Sequence, residues 1–298
     1  MNVIWLASFP KSGNTWIKSL IRQTSLNKGV IQGLIQGDRS LRKGQKPNIF
    51  HLVKPNCATQ PCSVLKTHYL YENVLADKNC RSALELSTVG YVHIYRNPLD
   101  VLLSYLNYTR LDYKIFVQRK PSESRIFNFK KVLFIDTLGF SEPYGVNEWE
   151  KMNIDRIPQK NLDYALDCFS DANLSIPGLN KMSGSWIEHI TSWKKAKEEV
   201  NGLSLCYEDC LGNPNEFFRL REFFDFSERE ILEALSIVNS EARERLSDGH
   251  LFYNKMQAYY FPNYFSPSAI ARFFTKHENT LKNFGYEFLM SKNDGIAK

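Results

Sequence analysis

Three groups of residues in this chain have types and spacing that could do chemistry on an anion: Lys11 in a Pro/Gly turn, Lys66 with His68, and Arg96 eight residues before Ser104. The first lies in Ser8-Phe9-Pro10-Lys11-Ser12-Gly13-Asn14-Thr15-Trp16, between an apolar run and a helical pattern. Phosphate binding at such a junction has a physical cause. Backbone N–H groups without helical partners, and the dipole of the following helix, present positive potential there. Gly13 lets the backbone approach an anion closely, Lys11 adds a full charge, and Ser12, Asn14 and Thr15 add donors. The segment is not a Walker A loop, because GxxxxGK[ST] places its lysine after the second glycine and Lys11 precedes the loop's only one. The plain alternative is an ordinary turn carrying a solvated lysine.

In Lys66-Thr67-His68, an imidazole and an ammonium leave the end of a short apolar run, where they could act as general base and electrostatic clamp. A satisfied structural histidine is the alternative. The third group is Tyr95-Arg96-Asn97-Pro98-Leu99-Asp100-Val101-Leu102-Leu103-Ser104-Tyr105. If a helix starts at Pro98, Arg96 and Ser104 can face one anion; the alternative pairs Arg96 with Asp100.

The elements that must position these groups follow from periodicity. Val3 to Phe9 suits a buried parallel strand, and Thr15 to Thr24 carries Trp16, Ile17, Leu20 and Ile21 at helical spacing. Ser63 to Lys66 and Tyr91 to Tyr95 read as strands, and Pro98 opens a helix through Tyr108. A helix is expected from about Ser185 to Val200, a strand from Leu203 to Tyr207, and a helix from Asn213-Pro214 through Phe223. Ser227 and Glu230 have capping-box spacing, and a last helix runs from about Ser268 to Asn283, ending at Gly285. Strands alternating with helices predict an α/β fold with a parallel central sheet flanked by helices, and ligands in such sheets sit at the carboxyl ends of strands. Leu111 to Asn180 shows weak periodicity, so a lid is expected there.

At 298 residues and 43% hydrophobic composition the chain can form one large globular domain. The net charge of +6 suits an anionic small molecule without choosing it, and no interleaved basic and aromatic stretch suggests nucleic acid. The first residues resemble neither a signal peptide nor an anchor, and no apolar run reaches the roughly 18 residues of a membrane span. Six cysteines without paired CxxC spacing predict reduced thiols in a cytoplasmic protein and no zinc. Between Val132 and Asn180, eight carboxylates face three bases, so that segment is net −5 and the rest of the chain +11. Such a lid would suit a cationic or strongly polar acceptor; the alternative is a solvated acidic surface.

Taken together, the motifs resemble the sulfotransferases that use 3′-phosphoadenosine 5′-phosphosulfate (PAPS). Ser8 to Trp16 is similar to the family's 5′-phosphosulfate loop, TYPKSGTTW, and Arg96 to Tyr105 to its 3′-phosphate signature, RNxxDxxxSY. Gly184-Ser185-Trp186 through Trp193 and Leu205-Cys206-Tyr207-Glu208-Asp209 resemble later family segments. The resemblance implies a P-loop-like sulfotransferase fold, PAPS as co-substrate, no metal, and a small-molecule acceptor such as a secondary metabolite. By the same resemblance Lys11 holds the 5′-phosphosulfate and steadies the leaving oxygen, Ser12, Gly13, Asn14 and Thr15 cradle the phosphate, and Trp16 packs on adenine. Arg96 and Ser104 bind the 3′-phosphate, Tyr207 lies near adenine, His68 is the general base and Lys66 its companion. One departure stands out: where the family carries RKGxxGDW, this chain has Asn254-Lys255-Met256-Gln257-Ala258-Tyr259-Tyr260-Phe261, in which only Lys255 survives. A kinase on the related fold, or a catalytically idle nucleotide-binding protein, are the competing readings.

Overall fold

The run Val3-Ile4-Trp5-Leu6-Ala7 has no polar break, as a strand covered on both faces requires, and it becomes the central strand of the sheet. The computed structural model describes residues 2–27, 50–52, 62–76, 87–117, 154–156, 159–176, 181–247 and 256–286. These fall into two compact units. The first comprises Met1–Arg96, Met182–Gly184 and Glu188–Tyr253, and the second Asn97–Lys181, Ser185–Ile187 and Asn254–Lys298.

The first unit is built on a five-stranded sheet of order β2-β3-β1-β4-β5, with β1 Asn2–Ser8, β2 Phe50–Leu52, β3 Cys62–Thr67, β4 Ser87–Tyr95 and β5 Gly202–Cys206. The β3, β1, β4 and β5 strands are parallel and β2 is antiparallel at the edge, so the expected parallel sheet is present with one short addition. Register pairs Leu6 with Lys66 and Ala7 with Thr67, which brings the ends of β1 and β3 level. Alternate residues of β1 serve opposite faces. Ile4 and Leu6 pack with Trp16, Ile17 and Leu20 of α1 (Asn14–Asn27), while Val3, Trp5 and Ala7 pack with Tyr71, Tyr91 and Trp193. Tyr71 opens α2 (Tyr71–Ala76).

The periodicity expectations for the helices hold with small shifts. The helix opened by Pro98, α3, is longer than its apolar stripe suggests, running Pro98–Val117. The Gln159–Asp171 segment corrects the view of 111–180 as lacking clear elements, because it is a helix, α4. Its buried Leu162, Ala165, Leu166 and Phe169 stand at i, i+3, i+4 and i+7, a stripe hidden in the sequence by interleaved carboxylates. Next come α5 (Trp186–Lys195) and α6 (Tyr207–Gly212). The segment expected as a helix after Asn213-Pro214 is a 3₁₀ helix, Pro214–Glu222, with Asn213 as its N-cap. In α7 (Glu228–Ser247) the capping box forms: the Glu230 carboxylate accepts from the Ser227 backbone N–H at 2.7 Å, and Ser227 Oγ accepts from the Glu230 N–H at 3.3 Å. The last helix, α8 (Pro267–Asn283), is capped by Ser266 and ends at Gly285 with φ +82°, the Tyr286 N–H reaching the Leu281 carbonyl at 2.8 Å.

Inside the second unit, the acidic row of α4 faces α8. Asp163 accepts from the Ser266 N–H, Asp167 pairs with Arg272 and Asp171 with Lys276, the last two pairs lying one helical turn apart on both helices. Asp155 accepts from the Tyr264 hydroxyl. Half of the eight carboxylates in the acidic segment are thus engaged within this unit. Asp136, Glu142, Glu148 and Glu150 lie outside the described residues. No helix among the described residues is long and apolar enough to cross a membrane.

Candidate active site

The phosphate-loop candidate leaves β1 at Ser8 and enters α1 at Asn14, so a strand, a turn and a helix N-terminus follow one another as the sequence predicts. The loop is tightly determined. The Ser12 N–H reaches the Phe9 carbonyl at 3.2 Å, and the Trp16 N–H reaches the Gly13 carbonyl at 2.9 Å. Gly13 has φ +107°, and a Cβ placed on it would stand 2.7 Å from the Tyr207 ring, so glycine is required both by backbone and by space. Lys11 takes a left-handed φ of +72° without being glycine, a backbone cost that tends to be kept at functional turns. Ser12 Oγ is fully buried and makes no hydrogen bond, and Asn14 Nδ2 donates to the Leu6 carbonyl and to Ser8 Oγ while its buried Oδ1 has no partner. Buried polar atoms left in this way point to a ligand, since an unsatisfied buried group costs about 1–3 kcal/mol.

His68 stands just beyond β3, and its Nδ1 lies 2.7 Å from the Ser8 carbonyl oxygen. A carbonyl only accepts, so Nδ1 carries the proton and Nε2 is the basic nitrogen. The strand end that launches the loop therefore also orients the imidazole. Lys66 continues the face of Val64, the one covered by α1, whereas Leu65 belongs to the opposite face.

Arg96, at the end of β4, lies with its guanidinium carbon 4.2 Å from the centroid of the Tyr207 ring. Tyr207 also meets Trp16 edge-on at 5.5 Å, and Trp16 meets Phe217 at 4.9 Å. Trp16 is buried in this cluster and its indole N–H donates to Asn239 at 3.0 Å. The first unit thus brings together Lys11 to Trp16, Lys66, His68, Arg96 and Tyr207. Ser104 is a buried residue of α3 in the second unit, and Lys255 lies outside the described residues. The Asp100 carboxylate accepts from Asn97 Nδ2 and from the backbone N–H groups of Tyr259 and Phe261.

Two residues that sequence reasoning passed over lie nearby. His93 of β4 and His189 of α5 are fully buried with ring centroids 5.4 Å apart, and His189 meets Phe9 edge-on at 5.8 Å. None of their four ring nitrogens has a hydrogen-bond partner. Burial, helped by the Lys194 charge, pushes the His93 imidazole down to about 3, and burial, then His93 and His68, holds His189 well below its ordinary value. A histidine inside the apolar run Tyr91 to Tyr95 was the available signal.

A pH limit follows from these shifts. The unfolded chain takes up a proton at His93 below about 6.5 while the folded chain refuses it down to about 3, so stability is full above 6.5 and is lost as pH falls through that window. One such imidazole gives a slope of about 1.4 kcal/mol per pH unit. His93→Phe, which keeps a ring between Tyr95, Trp193 and His189, is expected to flatten the acid limb of a urea-midpoint profile. An unchanged limb would assign the acid sensitivity to other groups.

Comparison with known proteins agrees with this geometry. A profile described as the sulfotransferase domain matches residues 2–284, and the chain belongs to that family. It is similar to sulfotransferase 1B1 of Canis lupus familiaris, 23% identical over 262 residues, covering 83% of this chain and 67% of the relative. It is also similar to flavonol 3-sulfotransferase of Flaveria bidentis, 26% identical over 143 residues, where the match covers 43% of this chain and 40% of that protein. Among solved structures, mouse sulfotransferase SULT7A1 complexed with PAP superposes with a TM-score of 0.52 at 16% identity, covering 99% of this chain and 89% of that one. That likeness shows a shared fold.

Proposed function

We propose that this protein transfers the sulfuryl group of PAPS to a hydroxyl, or an amine, of a small polar molecule such as a secondary metabolite. The observation that carries this reading is the Nδ1 bond from His68 to the Ser8 carbonyl, which aims a basic Nε2 from the same strand end that opens the anion loop. The residues present fit the donor. Ser12 Oγ is buried with nothing to bond, and Gly13 leaves no room for a side chain against Tyr207. Co-crystallised PAP in the SULT7A1 structure supports the same donor class.

In this reading the donor supplies the sulfuryl group and a phosphate leaving oxygen. Lys11 neutralises charge growing on that oxygen, Ser12 to Thr15 hold the 5′ end, and Trp16 and Tyr207 pack near adenine. Arg96, Ser104 and Lys255 hold the 3′-phosphate. His68 takes the acceptor proton at Nε2, with Lys66 beside it. Sulfuryl transfer, like phosphoryl transfer, asks for in-line positioning and charge stabilisation more than covalent help, so no residue is assigned to a metal. The chain acts as one cytoplasmic sulfotransferase domain over 1–298, with 111–180 on the acceptor side.

A neutral hydroxyl acceptor fits better than a cation. Of the eight carboxylates between Val132 and Asn180, Asp155, Asp163, Asp167 and Asp171 answer to Tyr264, Ser266 and α8, which leaves Asp136, Glu142, Glu148 and Glu150 of that segment for a cationic acceptor. Flavonol, the acceptor named for the Flaveria relative, is a neutral polyhydroxylated compound. A panel of phenols, neutral alcohols and amine-bearing alcohols assayed with labelled PAPS tests this choice: phenols and neutral alcohols should be sulfated in preference to amines. A consistent preference for cations, lost when Glu148 and Glu150 are neutralised, would restore the cationic reading.

A further inference from the structure

The loop 256–261 has no glycine, yet two of its residues take a glycine-type backbone. Met256 has φ +43° and Tyr259 φ +56°, and these are the two places where RKGxxGDW has glycine. Side-chain-bearing residues in the left-handed region cost roughly 1–2 kcal/mol each, so something must hold the loop there. What holds it is Asp100, fully buried in the first turn of α3. Its Oδ2 accepts from the Tyr259 N–H at 2.8 Å and its Oδ1 from the Phe261 N–H at 3.1 Å. The Tyr260 hydroxyl adds a bond to the Asp100 carbonyl at 3.1 Å. Asp100 is itself fixed by Asn97, which caps the helix by accepting the Asp100 N–H at 2.9 Å and donates to Oδ2 at 2.9 Å. Hydrogen bonds to a buried carboxylate are of the strong, charge-assisted kind.

Asp100 and Ser104 are one turn apart on α3 and therefore share a face. We propose that Asp100 is a positioning residue for the donor's 3′ end: by gripping the Tyr259 and Phe261 amides it imposes a glycine-type backbone on the 256–261 loop beside the Ser104 face, and so sets donor affinity without entering sulfuryl transfer. This rests on the sulfotransferase reading above. The loop is then formed before the donor arrives, held by a backbone clamp where the aligned family motif has glycines.

The test uses the full chain and 3′-phosphoadenosine 5′-phosphate (PAP) as probe. Asp100→Asn keeps one acceptor oxygen and loses the charge, so PAP is expected to bind roughly ten-fold or more weakly, the scale of one lost charge-assisted bond, with kcat at saturating donor unchanged within about twofold. Adding Tyr259→Gly to that variant should recover part of the affinity, because glycine adopts a positive φ without the clamp. An Asp100→Asn protein that binds PAP like the parent, or one that loses kcat and affinity alike with no rescue by glycine, would overturn the proposal. Should that variant not fold, amide exchange of the parent decides. Tyr259 and Phe261 amides protected before PAP is added support the clamp, and amides protected only afterwards contradict it. Absence of PAP binding by the parent itself would instead remove the sulfotransferase reading.

Discussion

Turnover by His68→Ala is expected to fall by about two to four orders of magnitude, the usual contribution of a positioned general base, while PAP binding changes little. The expectation comes from one bond. Nδ1 donates to the Ser8 carbonyl at 2.7 Å, so the ring presents Nε2 in its proton-accepting tautomer before any acceptor binds. Two companion measurements separate a chemical role from a structural one. Imidazole added to the assay should restore part of the lost rate to His68→Ala, because a small base can occupy the space the ring leaves. His68→Gln should fold and bind PAP yet turn over no faster than the alanine variant, since an amide accepts no proton. Full turnover by either variant would remove His68 from the base role.

The second large effect belongs to Lys11. Removing the charge that faces a developing oxyanion usually costs about 10²–10³ in kcat, and Lys11→Ala is expected to lose that much. Unlike His68, Lys11 should also affect donor binding, because in the proposed reading the same ammonium holds the 5′ end in the ground state. Lys11→Arg is expected to rescue poorly. The residue sits at φ +72° in a turn whose next glycine is packed against Tyr207, and a broad planar guanidinium does not replace a compact ammonium at such a point. Steady-state kinetics against both substrates would show the pattern; an arginine variant with parental kcat would mean that charge alone, without position, is what the loop requires.

Much of this was legible in the sequence because local patterns agreed with the global fold. The β1 run, the Lys11–Gly13 turn and the α1 stripe are contiguous, so one short segment dictates strand, loop and helix together. The Ser227–Glu230 capping box and the Gly285 stop were readable for the same reason: each is decided within a few residues. What escaped was decided at long range. The α4 helix carries its apolar stripe among carboxylates whose partners, Ser266, Arg272 and Lys276, lie about a hundred residues away, so its charges looked like a lid surface when read alone. The positive φ of Met256 and Tyr259 has no local signal at all. Neither residue type favours it, and the carboxylate that accepts from the Tyr259 and Phe261 amides, Asp100, stands more than 150 residues earlier. His93 and His189 were invisible as a pair because a strand and a helix bring them together. The departure of this loop from RKGxxGDW was plain in the sequence, whereas the left-handed backbone at the two positions aligned with glycine was not.

The central claim is that this chain holds a nucleotide carrying phosphates at both the 3′ and 5′ positions, with Lys11 at one end and Arg96 and Ser104 at the other. Calorimetric titration of the parent protein with PAP, with 5′-AMP and with ATP tests it most directly. The account predicts tight binding of PAP, much weaker binding of 5′-AMP, which lacks the 3′-phosphate, and a PAP affinity that falls to the 5′-AMP level in Arg96→Ala. Tight binding of ATP with none of PAP would contradict it and return the kinase reading to first place.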